Sequence, residues 1–144
     1  MRALLDINVL LALFDSSHLQ HARALDWWAK NMSFGWATSP LTENGYLRIV
    51  SQNSYPNPVP LVDAFAVLKR QIAEGGHEFW PDSVSLVDTE KFDHSHVLGP
   101  RQLTDVYLLA LSVKHGGRFV TFDRGISLKA VRGASAKHIV LVGS

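Results

Sequence analysis

At 144 residues, with 47% apolar residues, a net charge of +1 and no cysteine, the chain reads as a single domain over 1–144 that can bury a real core. Such apolar content excludes disorder. The missing cysteine excludes disulfides, thiolate zinc sites and cysteine nucleophiles, and fits a reducing cytosol. Asp6 and Asn8 interrupt the N-terminal apolar run, so no signal peptide is expected. No apolar run approaches the roughly 20 residues of a membrane span, and a cytoplasmic protein with no membrane partner is expected. Charge is unevenly spread: through residue 100 there are 7 Lys/Arg against 11 Asp/Glu, and from Arg101 onward 7 against 2. The two acids of that basic third are Asp105 and Asp123. Neutralised by a cation, they would leave a positive surface suited to a polyanion; the alternative is that these are solvated helix and loop charges.

In chain order, "RALL" (2–5) reads as a buried strand ending at Asp6, and "NVLLALF" as a helix apolar nearly all round. Residues 18–31 predict a second helix with Leu19, Ala22, Leu25 and Trp28 on its apolar face. "FGWAT" (34–38) predicts a strand. Ser39 and Pro40 then suit the N-cap and first position of a helix striped by Tyr46, Leu47, Ile49 and Val50. After the proline-rich loop 54–60, Leu61, Phe65, Leu68 and Ile72 recur at helical spacing up to the Gly75–Gly76 stop. "HEFW" and "VSLVD" are strand or loop, and 92–102 a short helix and loop. A helix from Thr104 or Asp105 runs to Lys114–His115 and stops at Gly116–Gly117. "RFVTF" and "HIVLV" are continuous apolar runs of the sort that lie inside a parallel sheet covered on both faces. Strands alternating with helices predict an α/β domain, its central, mainly parallel sheet flanked by helices.

Ligands bind such sheets beyond the carboxyl ends of the strands. Asp6 follows the first strand, Asp123 follows "RFVTF", Asp105 opens the helix leading into that strand, and Glu43 lies in the first turn of the Ser39–Pro40 helix. All four are expected at one edge. Taken singly, each is more often a cap or a surface charge. Together they would repel one another by several kcal/mol at an effective dielectric near 20, so either some stay protonated or a cation joins them. All-oxygen ligation selects Mg²⁺ or Mn²⁺, and such a site activates water against a phosphodiester.

"LLDINVLLALF", "TSPLTENGYLRIV" and "TDVYLLALSVKHGGRFVTFDRG" resemble, in order, the motifs of PIN-domain ribonucleases, most closely the VapC toxins of bacterial VapBC toxin–antitoxin pairs. The resemblance implies a PIN-like fold and an acidic quartet of Asp6, Glu43, Asp105 and Asp123 holding Mg²⁺ or Mn²⁺, with Asp6 and Asp105 ranked first. Asn8, Thr104 and Thr121 match the polar residues that orient the quartet. It further implies endonucleolytic RNA cleavage leaving a 5′-phosphate, a homodimer, and a small VapB-like antitoxin as partner. Arg101, Lys114, Arg118 and Arg124 are expected to flank the acids and contact RNA phosphates.

Alternatives keep the fold and change the role: a PIN-type nuclease of RNA processing or repair without an antitoxin, or a catalytically silent binding module, which would be expected to have lost acids. A phospho-acceptor receiver domain needs an Asp ending a middle strand, and "FGWATSP" has none. His18 with His21, and Asp93 with His94 and His96, lack a third converging ligand for zinc and read as surface or loop residues. Trp27 and Trp28 are adjacent and cannot both face the core of one helix; one is expected to pack, and the other to be exposed either by chance or for a partner.

Overall fold

The computed structural model describes residues 1–143. Among them the strands are β1 (Ala3–Leu5), β2 (Trp36–Thr38), β3 (His77–Phe79), β4 (Arg118–Thr121) and β5 (Ile139–Leu141). The α-helices are α1 (Ile7–Phe14), α2 (His21–Asn31), α3 (Pro40–Val50), α4 (Leu61–Ala73) and α5 (Leu103–Lys114). All strand pairs are parallel, in the order β3-β2-β1-β4-β5. Chain direction across the sheet reverses between β1 and β4, which makes their carboxyl ends the switch point where open α/β sheets take ligands.

Alternation along the strands divides the core into two. Leu4, Ala37 and Phe119 face α5, Trp80 and Phe92; Ala3, Leu5, Trp36 and Val120 face α1, α3 and α4. With both faces covered, β1 and the middle of β4 (Phe119 and Val120) are apolar on both sides, and the period-2 signal disappears from the sequence there. Helix α5 is buried without a break from Val106 to Ser112; the Ser112 hydroxyl donates to Leu108 O at 2.9 Å, so even its polar residue needs no water. Gly116, at φ 64°, ends it in the left-handed conformation that glycine takes without a Cβ clash.

Two predicted helix faces turn out rotated. In α2 the buried residue is Ala24, flanked by half-buried His21, Trp27 and Trp28, whereas Leu19 precedes the helix fully exposed and Leu25 is 48% exposed. In α4 the buried residues are Ala64 and Leu68, whereas Leu61 and Phe65 face outward. Small residues set these contacts: an alanine admits the neighbouring backbone, and larger apolar groups are displaced to the rim. Met32, Phe34 and Val62 are exposed as well, so α2 and α4 carry apolar surface that nothing in the described residues covers. Between them lies a cavity of about 240 Å³ lined by Leu25, Trp28, Met32 and Trp36, among others. Phe34 belongs to a 3-10 turn (Met32–Phe34) rather than to β2, and "VSLVD" is turn and loop.

Candidate metal centre

The sheet delivers three acids to one place. β1 ends at Leu5, and the Asp6 backbone N–H still bonds Val120 O at 2.9 Å, so the strand pairing holds Asp6 against β4. Its carboxylate caps α1, accepting from Ile7 N at 2.7 Å, and takes the Thr121 hydroxyl at 2.6 Å. Thr121, the last residue of β4, in turn accepts the Asp123 N–H at 3.0 Å. One buried hydroxyl thus fixes both the Asp6 carboxylate and the backbone of Asp123. Asp105 arrives from the first turn of α5. Among the described residues, Asp6, Asp105 and Asp123 each offer an oxygen within 4.8 Å of the others.

Their electrostatics show the cost of that convergence. Burial pushes the Asp6 carboxyl up to about 6, against the lowering effect of the Thr121 bond and with the Asp123 charge adding to the rise. Burial pushes Asp105 up to about 7, reinforced by the charges of Asp6 and Asp123 and by a hydrogen bond with Asp123. Carboxylates with raised pKa values and only oxygen to offer form a donor set that a hard divalent cation would relieve. The residues fit a metal ion.

Glu43 stands outside this group of three. It opens α3 at the same sheet edge, where Ser39 caps the helix and Thr42 completes a capping box, and its Oε2 accepts the Thr38 hydroxyl at 2.6 Å. Thr38 Oγ1 also lies 2.7 Å from His77 Nε2. Sequence reading passed over both residues. A threonine ending a strand just before a helix cap is a weak local signal; His77 gives none, because only the β2–β3 pairing brings it to Thr38. Asn8 is in the first turn of α1 with its Oδ1 buried and without a hydrogen-bond partner among the described residues. Thr104 is exposed and lines a separate hollow with Leu41, Asp82 and Tyr107. Gln102, also unanticipated, donates to Gly125 O at 3.0 Å and ties the start of α5 to the segment after Asp123.

The cations divide. Arg101, in the 3-10 turn Pro100–Gln102, and Arg124, next to Asp123, are exposed at the acidic edge. The expectation that Lys114 and Arg118 flank the acids is corrected by the topology. Lys114 ends α5, nine residues and about 13 Å of helix beyond Asp105, where it bonds Ser83 Oγ at 2.8 Å. Arg118 begins β4, at the opposite end from Asp123, with its guanidinium over the rings of Trp27 (5.6 Å) and Phe34 (5.4 Å) and bonded to Asn31 Oδ1 at 3.0 Å. Both tryptophans are therefore packed: Trp27 under Arg118, Trp28 edge-on to Trp36 at 6.0 Å. The histidine pairs are structural too, His21 bonding Ala12 O and His94 bonding Leu86 O, each at 2.7 Å.

The PIN domain family profile matches residues 3–132. Among curated proteins of Mycobacterium tuberculosis, ribonuclease VapC44 is 48% identical over 96% of this chain and 98% of its own length. Ribonuclease VapC38 is 46% identical over 86% of each chain, and ribonuclease VapC39 is 43% identical over 92% and 96%. Two solved structures share the fold at low identity. The M. tuberculosis toxin VapC20, described as cleaving the sarcin–ricin loop, has a TM-score of 0.61 at 13% identity, covering 90% of this chain and 98% of that one. A VapBC2 complex from Rickettsia felis, bound to a fragment of its promoter DNA, gives 0.55 at 14%, covering 85% and 88%. The chain belongs to the PIN domain family and, within it, to the VapC ribonucleases.

Proposed function

We propose that this chain is the endoribonuclease toxin of a VapBC-type pair, and that Asp6, Asp105 and Asp123 hold Mg²⁺ or Mn²⁺ at its active site, with Glu43 as the fourth carboxylate of the same edge. The observation that carries the reading is the convergence of three carboxylates, two with raised pKa values, in a chain so similar to VapC ribonucleases. A divalent ion bound there would offset charge on a phosphodiester and make water a stronger nucleophile. The residues do the rest. Asp6 is held by Ile7 N and Thr121 and needs no reorganisation to bind. Thr121, and Gln102 through Gly125, keep the Asp123 segment against Asp6 and the start of α5. Exposed Arg101 and Arg124 attract phosphates. Water attacks phosphorus, the bond to the 3′ oxygen breaks, and the products carry a 5′-phosphate and a 3′-hydroxyl.

The uncovered apolar surface of α2 and α4, with its cavity of about 240 Å³, supports a protein partner, which we take to be a VapB-like antitoxin. A homodimer acting on RNA in the cytoplasm completes the reading; among the described residues no helix is long and apolar enough to cross a membrane. The relatives' names favour the toxin over an RNA-processing nuclease.

Cleavage of cellular RNA by the purified chain, followed with and without EDTA, tests the site. Activity should vanish with chelation and return with Mn²⁺. Asp105→Asn should lose more than the about 10–100-fold that removal of an outer-shell partner costs. Cleavage that survives EDTA would overturn the metal reading.

A further inference from the structure

Glu43 is held by a hydrogen-bond chain that crosses two strands. His77 Nε2 lies 2.7 Å from Thr38 Oγ1, and Thr38 Oγ1 lies 2.6 Å from Glu43 Oε2. Thr38 is fully buried, so no solvent competes for its hydroxyl. A hydroxyl has one hydrogen to give. With Glu43 as a carboxylate that hydrogen is committed to Oε2, so the lone pair facing His77 must receive an N–H from Nε2. The direction of the chain is thereby set: His77 donates to Thr38, and Thr38 donates to Glu43. Both the Nε2–H tautomer and the imidazolium carry that hydrogen, so the arrangement does not depend on the charge of His77. Trp36, edge-on to the imidazole with centroids 4.7 Å apart, limits the ring's freedom to turn.

We propose that Thr38 and His77 are positioning residues for the metal centre: they hold the Glu43 carboxylate in one rotamer with one oxygen engaged, leaving Oε1 for the ion or for a water on it. This role presupposes the metal site proposed above, with Glu43 in it. A glutamate has three rotatable bonds before its carboxylate, and fixing them before the ion arrives removes an entropic cost from binding. The protein supplies a comparable clamp to Asp6 through Thr121. The two strand-end threonines, Thr38 on β2 and Thr121 on β4, therefore serve one purpose on either side of β1.

Titration of the metal-free protein with Mn²⁺ alone, followed calorimetrically, tests the chain in wild type, Thr38→Val, Thr38→Ser, His77→Ala, Glu43→Ala and the Thr38→Val/Glu43→Ala double variant. Thr38→Val should weaken Mn²⁺ about tenfold, the low end for an outer-shell partner, and Thr38→Ser should restore it. His77→Ala should fall between valine and wild type. The double variant should bind no more weakly than Glu43→Ala, because a positioning residue has nothing left to position. A Thr38→Val loss that adds in full to the Glu43→Ala loss would overturn the proposal, as would wild-type affinity in Thr38→Val alongside a weakened Glu43→Ala. Wild-type affinity in Glu43→Ala would instead overturn the place of Glu43 in the site, while Asp105→Asn reports separately on the trio. Should Thr38→Val fail to fold, His77→Ala decides: unchanged affinity and unchanged cleavage would overturn the chain.

Discussion

Asp6 does at once what two readings of it demand. It caps α1 through Ile7 N, an ordinary structural task, and it meets Asp105 and Asp123, a functional one. The two tasks use the carboxylate differently. An asparagine caps a helix as well as an aspartate and sheds the buried charge, but its single acceptor oxygen cannot take both the Ile7 N–H and the Thr121 hydroxyl. With the two effects opposed, Asp6→Asn should leave the metal-free protein about as stable as wild type. Mn²⁺ at a hundredfold excess over Kd should stabilise wild type by about 2.7 kcal/mol and the variant by little. Thermal melts with and without Mn²⁺ check both; a strongly destabilised apo variant with a normal metal response would leave Asp6 only its cap. The pH dependence has a definite sign. Asp6 and Asp105 titrate near 6 and 7 in the folded protein against 3.8 for a free aspartate. Between those values the folded state holds protons that the unfolded state has released. Their contribution is fully present below about pH 4 and is lost as pH rises to about 7. Melting of the protein in EDTA should therefore show a decline across that window, flattened in Asp105→Asn.

Between elements, the turn from α5 into β4 shows how close the layers come. A Cβ on Gly117 would lie 2.6 Å from Arg2 O and 2.6 Å from the Trp80 ring, and neither the backbone leading into β1 nor a fully buried indole can yield. Gly117→Ala should cost at least the roughly 1–3 kcal/mol typical of overpacking, read as a lower urea midpoint. Because that turn sits at the edge away from the acids, cleavage per folded molecule should be retained. Gly45 of α3 meets the Ile7 side chain of α1 at least as closely, whereas α2 and α4 pack differently. Ala24 in α2 and Ala64 in α4 are fully buried, and Leu25, Leu61 and Phe65 beside them are left at the surface. Helical spacing in these segments therefore placed Trp28, Leu68 and Ile72 correctly against the core, and Leu25, Leu61 and Phe65 wrongly. Part of that surface faces no other part of the described chain.

At the scale of the molecule, charge follows topology. The basic C-terminal third is contiguous in sequence, but parallel β4 and antiparallel α5 send its cations to opposite ends of the sheet. Arg101 and Arg124 share the acidic edge; Lys114 and Arg118 do not. Replacing Arg101 or Arg124 by alanine should lower the salt slope of single-stranded RNA binding by about 0.7 each. Arg118→Ala should leave the slope unchanged and lower the melting temperature, because it removes the guanidinium packed on Trp27 and Phe34. Binding isotherms across a salt series separate the two groups.

The strand–acid–helix pattern at Leu5–Asp6–Ile7 and the apolar runs around Phe119 and Val140 determined the parallel α/β sheet and the edge where acids gather. Those features are local: a parallel strand buried on both faces, such as β1, leaves a continuous apolar run in sequence, although the equally apolar β5 lies half-buried at the sheet edge. Grouping the acids was a matter of tertiary structure. The pairing of β1 with β4 joins Asp6 to Thr121 across 115 residues, and that of β2 with β3 brings His77 to Thr38. Glu43, at the same edge by its place in the chain, lies outside the trio and is bound by a hydroxyl of its own. Sequence orders residues along one dimension; which side chains lie within a hydrogen bond of each other is decided by strand register, and a shift of one residue turns each to the other face.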